Sequence, residues 1–161
     1  MGIVASAKGE QKDFELPVEL IQQGVIADLV DKGMVDVTYA GVTKKQHKAY
    51  FVWVLEEVDS EGRNKRAFQS FAISLHEKAT LRKILKEFGV KITKDPANPK
   101  KELFDGKPEV ELEPYVGLKR TLVMSIEDGK DGGQYVRVLS TMKPQGAGME
   151  IPSDFKRKQD A

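Results

Sequence analysis

Residues Lys48 to Ile73, KAYFVWVLEEVDSEGRNKRAFQSFAI, decide the fold. Aromatic and β-branched residues fill both ends of this stretch, as is typical of strands. The turn sequence Asp59-Ser60-Glu61-Gly62 lies between the two ends. The stretch therefore predicts two consecutive strands, Lys48–Glu57 and Arg66–Ile73, joined by a turn.

Alternation along the first of these strands indicates which side is buried. Phe51, Trp53 and Leu55 share one side, and Tyr50 lies on the other. We expect the fully apolar side to fill the core, because a large aromatic residue in a strand is more often buried than exposed. Trp53 is then internal and Tyr50 points outward; the reverse orientation would make Trp53 the exposed ring.

The preceding residues predict one more strand. Residues 24–39 have strand character, with a bulge or bend expected at Gly33. Residues 40–45, AGVTKK, are expected to form the loop that leads into the next strand. Three strands thus precede the first helical signal.

The helical signal is the segment Ser74-Leu75-His76-Glu77, which fits a capping box. We expect a helix over Leu75–Phe88, with apolar residues at helical spacing on one side and Gly89 as its left-handed stop. Residues 90–115 contain four prolines and predict a long loop between the helix and the next strand.

Two further strands follow the loop. Residues 116–127 alternate apolar and polar side chains, the Asp-Gly and Gly-Gly pairs of residues 128–133 indicate a hairpin turn, and residues 134–140 form the last strand. The order β-β-β-α-β-β matches a mainly β fold, the five-stranded OB-fold Greek-key barrel with one helix between strands 3 and 4. A generic five-stranded α+β sheet would give the same order.

Length and composition indicate one domain of 161 residues. We expect a flexible N-terminus over residues 1–14, the OB-fold domain over residues 15–142 and a flexible C-terminal tail over residues 143–161. The absence of Cys excludes thiol catalysis, Cys-ligated metals and disulfides. No apolar run reaches the roughly 18 residues of a membrane span, so we expect no membrane association and a cytoplasmic location in a bacterial host cell.

Charge is zoned along the chain although the net charge is only +1. Residues 74–101 carry eight cations and three acids, whereas residues 102–116 carry one cation and five acids. Binding to nucleic acid therefore depends on a local cationic surface.

Catalytic groups do not converge in the sequence. His47 and His76 are far apart, and the Gly-rich segment lies in a hairpin turn with no phosphate-loop motif. We expect no enzymatic activity, no cofactor and no metal site; a small hydrolase or nuclease remains a minor third class of function.

Aromatic residues interleaved with cations are the feature that points to function. Single-stranded nucleic acid is bound by rings that stack on bases and by cations that follow the phosphates. Val136 and Val138 are expected inward on the last strand, which leaves its aromatic and cationic residues outward. The predicted nucleic-acid-binding residues are Tyr39, Lys44, Lys45, Lys48, Tyr50, Lys119, Tyr135 and Arg137.

Two runs carry a family resemblance: VIADLVDKGMVDVTYAGVTKKQHKAYFVWV over residues 25–54 and SFAISLHEKATLRKILKEFG over residues 70–89. They resemble a family of small phage and prophage replication-associated proteins, and the SLHEKA segment is the most specific part. The family looks like OB-fold single-stranded DNA-binding proteins that act with replication or recombination enzymes. The chain departs from the family pattern at Gln46 and at Phe88-Gly89, where relatives often have a basic residue and a Trp.

The leading hypothesis is a single-stranded DNA-binding protein that supports phage-type DNA replication or recombination. Its expected partners are single-stranded DNA and phage replication or recombination proteins, and homo-oligomerisation is left open. The alternative is an OB module that docks on a replication or host enzyme without direct DNA binding. In that case the acidic residues 102–113 and the basic face of the helix would form the docking surfaces.

Overall fold

The computed structural model describes residues 15–129 and 132–158, and it is mainly β. Three strands, β1 (Ile21–Tyr39), β2 (Val42–Val58) and β3 (Asn64–Ala72), precede the helix α1 (Thr80–Glu87). A hairpin of β4 (Ile92–Asp95) and β5 (Asn98–Phe104) follows the helix, and then a 3-10 turn over Glu113–Tyr115. The last two strands are β6 (Lys119–Asp128) and β7 (Gln134–Met142).

Five strands form one antiparallel sheet in the order β3-β2-β1-β6-β7. The two edge strands, β3 and β7, approach each other, and α1 contacts both of them. No hydrogen-bonded ladder joins β3 to β7 among the described residues, so the sheet is not closed. The order predicted along the chain, three strands, a helix and two strands, is confirmed for the strands of this sheet.

The core lies on one side of the curved sheet. Phe51, Trp53 and Leu55 are fully buried there and pack with Leu85 of the helix. Trp53 Nε1 donates a hydrogen bond of 3.0 Å to Gln69 Oε1, which satisfies the only polar atom of the ring. The prediction that Trp53 is internal is confirmed.

The predicted loop over residues 40–45 is wrong. Ala40 and Gly41 alone form the turn, and both have positive φ values, 52° and 79°. A two-residue turn of this kind matches the twist of the flanking strands, and Gly41 adopts the conformation without strain. As a consequence β2 begins at Val42, and Lys44 and Lys45 lie on a strand. The predicted bulge at Gly33 is confirmed by a register shift between Asp31 and Gly33.

The predicted start of the helix is also wrong. Ser74 Oγ accepts from the amide of His76 at 3.2 Å, two residues on, so it forms a local turn and not a capping box. The helix begins at Thr80 and has no side-chain cap. Its stop is as predicted: Gly89 has φ 95°, and its amide donates to Lys86 O at 3.0 Å.

Residues 90–115 differ from the predicted loop, because they contain the β4–β5 hairpin. This hairpin forms a second, two-stranded sheet, and Phe104 at the end of β5 is buried in the main core. Arg82 of the helix forms a bidentate pair with Glu102 of β5, with bonds of 2.6 and 2.9 Å. The β4–β5 hairpin is therefore fixed to the rest of the protein at two points, Glu102 and Phe104.

The segment after β7 crosses the side of the sheet opposite the core, which we call the outer face. A second apolar cluster lies there, formed by Val25, Ala27 and Val54. The sequence predicts a flexible tail over residues 143–161; three apolar side chains of this segment, Met149, Ile151 and Phe155, pack against the cluster. The predicted flexible N-terminus, residues 1–14, lies outside the described residues.

Candidate nucleic-acid interface

A groove of about 1250 Å³ runs between the outer face of β1, β2 and β3 and the edge strand β7. Helix α1 lines one part of it, through Thr80, Lys83 and Glu87. Strand alternation turns Tyr50 and Phe68 toward this groove, because their neighbours Phe51 and Phe71 fill the core. The groove is thus built mainly by the outer face of β1, β2 and β3, and the core residues Ile84 and Val138 line it where α1 and β7 meet it.

Aromatic rings line the groove. Tyr50 and Phe68 meet edge to face, with ring centroids 5.9 Å apart and an interplanar angle of 75°. Phe68 is 38% exposed, and Tyr135 of β7 is 47% exposed. Each of these rings retains exposed surface on which a planar base can stack.

Cations outnumber acids around the groove. Six cations line it, against three acids, Glu15, Asp28 and Glu87. All three acids are engaged: Asp28 pairs with Arg157, Glu87 accepts from the Thr141 amide at 3.0 Å, and Glu15 accepts from the Ser60 amide at 3.2 Å. The lining residues therefore carry a net charge of +3, six cations less three acids, and the concave shape concentrates its field. The cations are Lys32, Arg66, Lys83, Arg137, Lys156 and Lys158.

Arg137 and Tyr135 share one acidic partner at the β7 wall. The Tyr135 hydroxyl donates to Glu127 Oε1 at 3.2 Å, and Arg137 Nη1 lies 3.6 Å from the same oxygen. A hydrogen bond from Ser125 and then that from Tyr135 keep the pKa of Glu127 below its ordinary value. Arg137 is 62% exposed, so the pair orients the guanidinium without burying it.

Lys32 places a charge beside the aromatic rings. Its Nζ lies 6.0 Å from the centroid of the Tyr50 ring. Arg66 of β3 lines the same groove, and burial lowers the pKa of its guanidinium, although Arg66 stays ionised at neutral pH. Rings and cations therefore line the same groove.

The structure brings three of the eight predicted site residues together: Tyr50, Tyr135 and Arg137 all line the groove. Lys119 lies on β6 and forms an ion pair with Glu150, in the segment after β7. Lys48 is half-buried, opposite Gly33 at the base of the β1–β2 hairpin. The remaining three, Tyr39, Lys44 and Lys45, lie near the tip of that hairpin.

The hairpin tip extends away from the rest of the sheet. In residues 34–47, which we call the ribbon, the strand ladder joins only β1 to β2; β3 pairs from Lys48 onward, and β6 pairs with residues 21–25. One further backbone bond reaches the base of the ribbon, from the Ile73 amide to His47 O at 2.7 Å. Thr38 and Thr43 hydroxyls are 3.0 Å apart across the ribbon, and Tyr39 is 83% exposed. The ribbon presents its cations on a separate surface from the groove.

Several groove residues were not among the predicted site residues. Alternation on the third strand sets Phe68 opposite Phe71 and thus contains the signal for an exposed ring. Lys83, Lys156 and Lys158 carry no such signal, because only the packing of the helix and of the segment after β7 brings them to the groove.

The surfaces of the docking alternative are partly used within the chain. Arg82 of the basic helix face pairs with Glu102, and Glu113 pairs with Arg157.

His47 pairs with Asp31 at 2.7 Å. Within residues 15–129 and 132–158, no three His, Asp or Glu side chains form a cluster that could hold a metal ion.

Comparisons of the chain with protein families, with characterised proteins and with solved structures found no match. The function must therefore be inferred from the groove itself. In the described part of the chain, no helix is long and apolar enough to span a membrane.

Proposed function

We propose that this protein binds single-stranded DNA in the groove, on an OB-type sheet. The observation that carries the proposal is that partly exposed rings and cations line one concave surface. Tyr50, Phe68 and Tyr135 would stack on bases, while Lys32, Arg66 and Arg137 would follow the phosphates.

The topology supports an OB-type barrel. Its strand order, β3-β2-β1-β6-β7, brings the first and last strands of the sheet close together, with α1 contacting both. A barrel of this type is partly open and binds oligonucleotides on the face of its second and third strands. Tyr50 and Phe68 lie on that face, on β2 and β3.

Energetics favour a polymer over a small ligand. One stacked base contributes about 1–3 kcal/mol, so three rings give a substantial but sequence-tolerant attraction. A track that neutralises about four phosphates predicts a slope near −3 for the logarithm of the binding constant against the logarithm of the salt concentration. Such a site would bind unpaired strands with little base preference, because every base has a stackable face.

Anisotropy of a labelled poly-dT oligonucleotide tests the proposal over a range of salt concentrations. The label must be on the DNA, because the single Trp is buried and its emission would report the core. The double variant Phe68→Leu/Tyr135→Leu keeps apolar volume but removes two stacking surfaces. We expect it to weaken binding by at least tenfold, as two lost stacks of about 1–3 kcal/mol each require.

The matched control is Tyr39→Leu, which removes one exposed ring from the ribbon tip. We expect it to change the affinity much less than the groove variant. Absence of binding by the unaltered protein at low salt would refute the proposal. Equal affinity for duplex and unpaired strands would refute the stacking part of it.

The resemblance of the SLHEKA region to phage replication-associated proteins supports a role in phage-type DNA replication or recombination. A protein that coats unpaired strands acts beside such enzymes, so we include phage replication or recombination proteins among the proposed partners. The docking alternative has less support, because Arg82 and Glu102, one from each of its two surfaces, pair with each other.

A further inference from the structure

Residues 149–158, which we call the C-terminal segment, lie across the outer face beside the groove. Met149, Ile151 and Phe155 cover the apolar cluster of Val25, Ala27 and Val54. The guanidinium carbon of Arg66 lies 4.8 Å from the centroid of the Phe155 ring. The segment therefore reaches β3 at Phe155, which also lines the groove.

Arg157 fixes the end of this segment. Its Nε donates to Asp28 Oδ1 at 2.8 Å, and its Nη1 pairs with Glu113. The Lys158 amide donates to the other Asp28 oxygen, Oδ2, at 2.8 Å. Asp28 is only 3% exposed, and a buried carboxylate needs a cationic partner and hydrogen bonds. Arg157 provides the positive charge, and the Lys158 amide provides a further hydrogen bond.

This anchorage sets three further groups on the groove wall. Phe155, Lys156 and Lys158 line the groove, and both lysines are exposed. Neither lysine is needed to hold the segment, because Arg157 and the Lys158 amide provide the bonds to Asp28. The two ammonium groups are thus available to a ligand in the groove.

We infer that the C-terminal segment is part of the DNA site, with Lys156 and Lys158 as phosphate contacts and Arg157 as the residue that positions them. This inference rests on the proposed function. The chemistry recognised is the phosphate backbone of an unpaired strand, since both lysines and β7 line the same groove.

Charge favours a supporting role over an occluding one. Without the segment, the acidic Asp28 would stand unpaired on the groove wall and repel phosphates. With the segment in place, Asp28 is neutralised by Arg157 and two lysines are added. The segment also brings Glu150, which pairs with Lys119, and Asp154, so its five charged residues together add a net charge of +1 to the outer face.

The test uses the full chain and a labelled poly-dT oligonucleotide. Lys156→Ala/Lys158→Ala removes two exposed cations from the groove wall, and Lys100→Ala/Lys101→Ala removes two exposed cations from β5 as the matched control. Each phosphate contact on a single strand contributes about 0.7 to the salt slope, so we expect the first variant to flatten the slope by about 1.4 and to weaken binding about tenfold at low salt. The control should change neither quantity.

Arg157→Ala tests the positioning role. We expect weaker binding together with faster amide exchange in residues 149–158, while exchange in β1 and β2 stays slow. If the unaltered protein binds DNA but Lys156→Ala/Lys158→Ala matches the control, this inference is wrong and the proposed function stands. Tighter binding by either variant would show that the segment occludes the groove; no binding by the unaltered protein would overturn both proposals.

Discussion

The two halves of the β1–β2 hairpin share one continuous ladder but differ in what lies against them. Near β3, Phe51 and Trp53 are completely buried, whereas Tyr39 near the tip is 83% exposed. Backbone pairing runs through both halves, and its two register shifts, at Ile26/Asp28 and Asp31/Gly33, lie in the half near β3. The difference teaches that pairing gives the hairpin its shape, while contact with the helix and the neighbouring strands gives the near half its stability, since a two-stranded ribbon alone is marginal.

Truncation of one aromatic ring in each half gives the largest expected contrast. Trp53→Ala should lower the free energy of unfolding by about 3–5 kcal/mol, because it opens a cavity and leaves Gln69 without its indole partner. Tyr39→Ala should change it by less than about 0.5 kcal/mol. Urea unfolding followed by circular dichroism measures both; a comparable loss in the two variants would contradict the division.

Glu57 at the end of β2 sharpens the comparison through pH. Its carboxylate accepts from the Val18 and Glu19 amides at 3.0 and 2.9 Å, from Gln22 at 3.1 Å, and pairs with Lys65. Burial raises the pKa of Glu57, but these bonds, led by that from Lys65, outweigh burial and lower the pKa from 4.5 to about 2. The ribbon holds no comparable anchor.

A pKa that is lower in the folded state stabilises the protein above the unfolded value and ceases to do so as the carboxylate protonates. We therefore expect a contribution from Glu57 that is complete above pH 4.5 and lost as the pH falls to about 2. Its size is on the order of 3 kcal/mol. Unfolding free energies measured across this range should lose that pH dependence in Glu57→Gln.

Glu56→Gln is the matched control, because Glu56 is exposed and accepts one longer bond of 3.3 Å from the Gln23 amide. It should leave the acid dependence of stability in place. An acid profile that is the same in Glu57→Gln and in the unaltered protein would show that the network contributes nothing.

Strand periodicity predicted the sheet well because it depends on local alternation. The burial of Trp53, the outward direction of Tyr50 and the bulge at Gly33 follow from such patterns. The failures lie where two local solutions compete. Ser74 could cap a helix or close a turn, and the turn is what forms; residues 92–104 contain prolines yet pair as an edge hairpin, which tolerates them.

The groove could be predicted only in part. Tyr50, Tyr135 and Arg137 were identified because alternation determines which side of a strand they occupy. Lys83 and Lys156 could not be identified, since their place depends on how the helix and the C-terminal segment pack on the sheet. The sequence predicts Lys44 and Lys45 in a loop. Because the turn consists of Ala40 and Gly41 alone, both lysines lie on β2, away from the groove.

The smallest expected effect concerns DNA binding by the two cationic surfaces, the ribbon and the groove. Lys44 stands opposite Val37, and Lys45 stands opposite Asp36, whose charge offsets it. Without an adjacent row of rings, such exposed cations speed encounter more than they hold the complex. We therefore expect Lys44→Ala/Lys45→Ala to lower the association rate with poly-dT and weaken binding by only about twofold at low salt.

The groove comparison for this experiment is Lys32→Ala/Arg137→Ala, which removes the same number of cations beside Tyr50 and Tyr135. We expect it to raise the dissociation rate and to flatten the salt slope by about 1.4, because both cations are expected to stay on phosphates in the complex. Stopped-flow kinetics separate the two rates. If the ribbon variant raises the dissociation rate as much as the groove variant does, the bound strand extends onto the ribbon, and the far half of the hairpin belongs to the binding track.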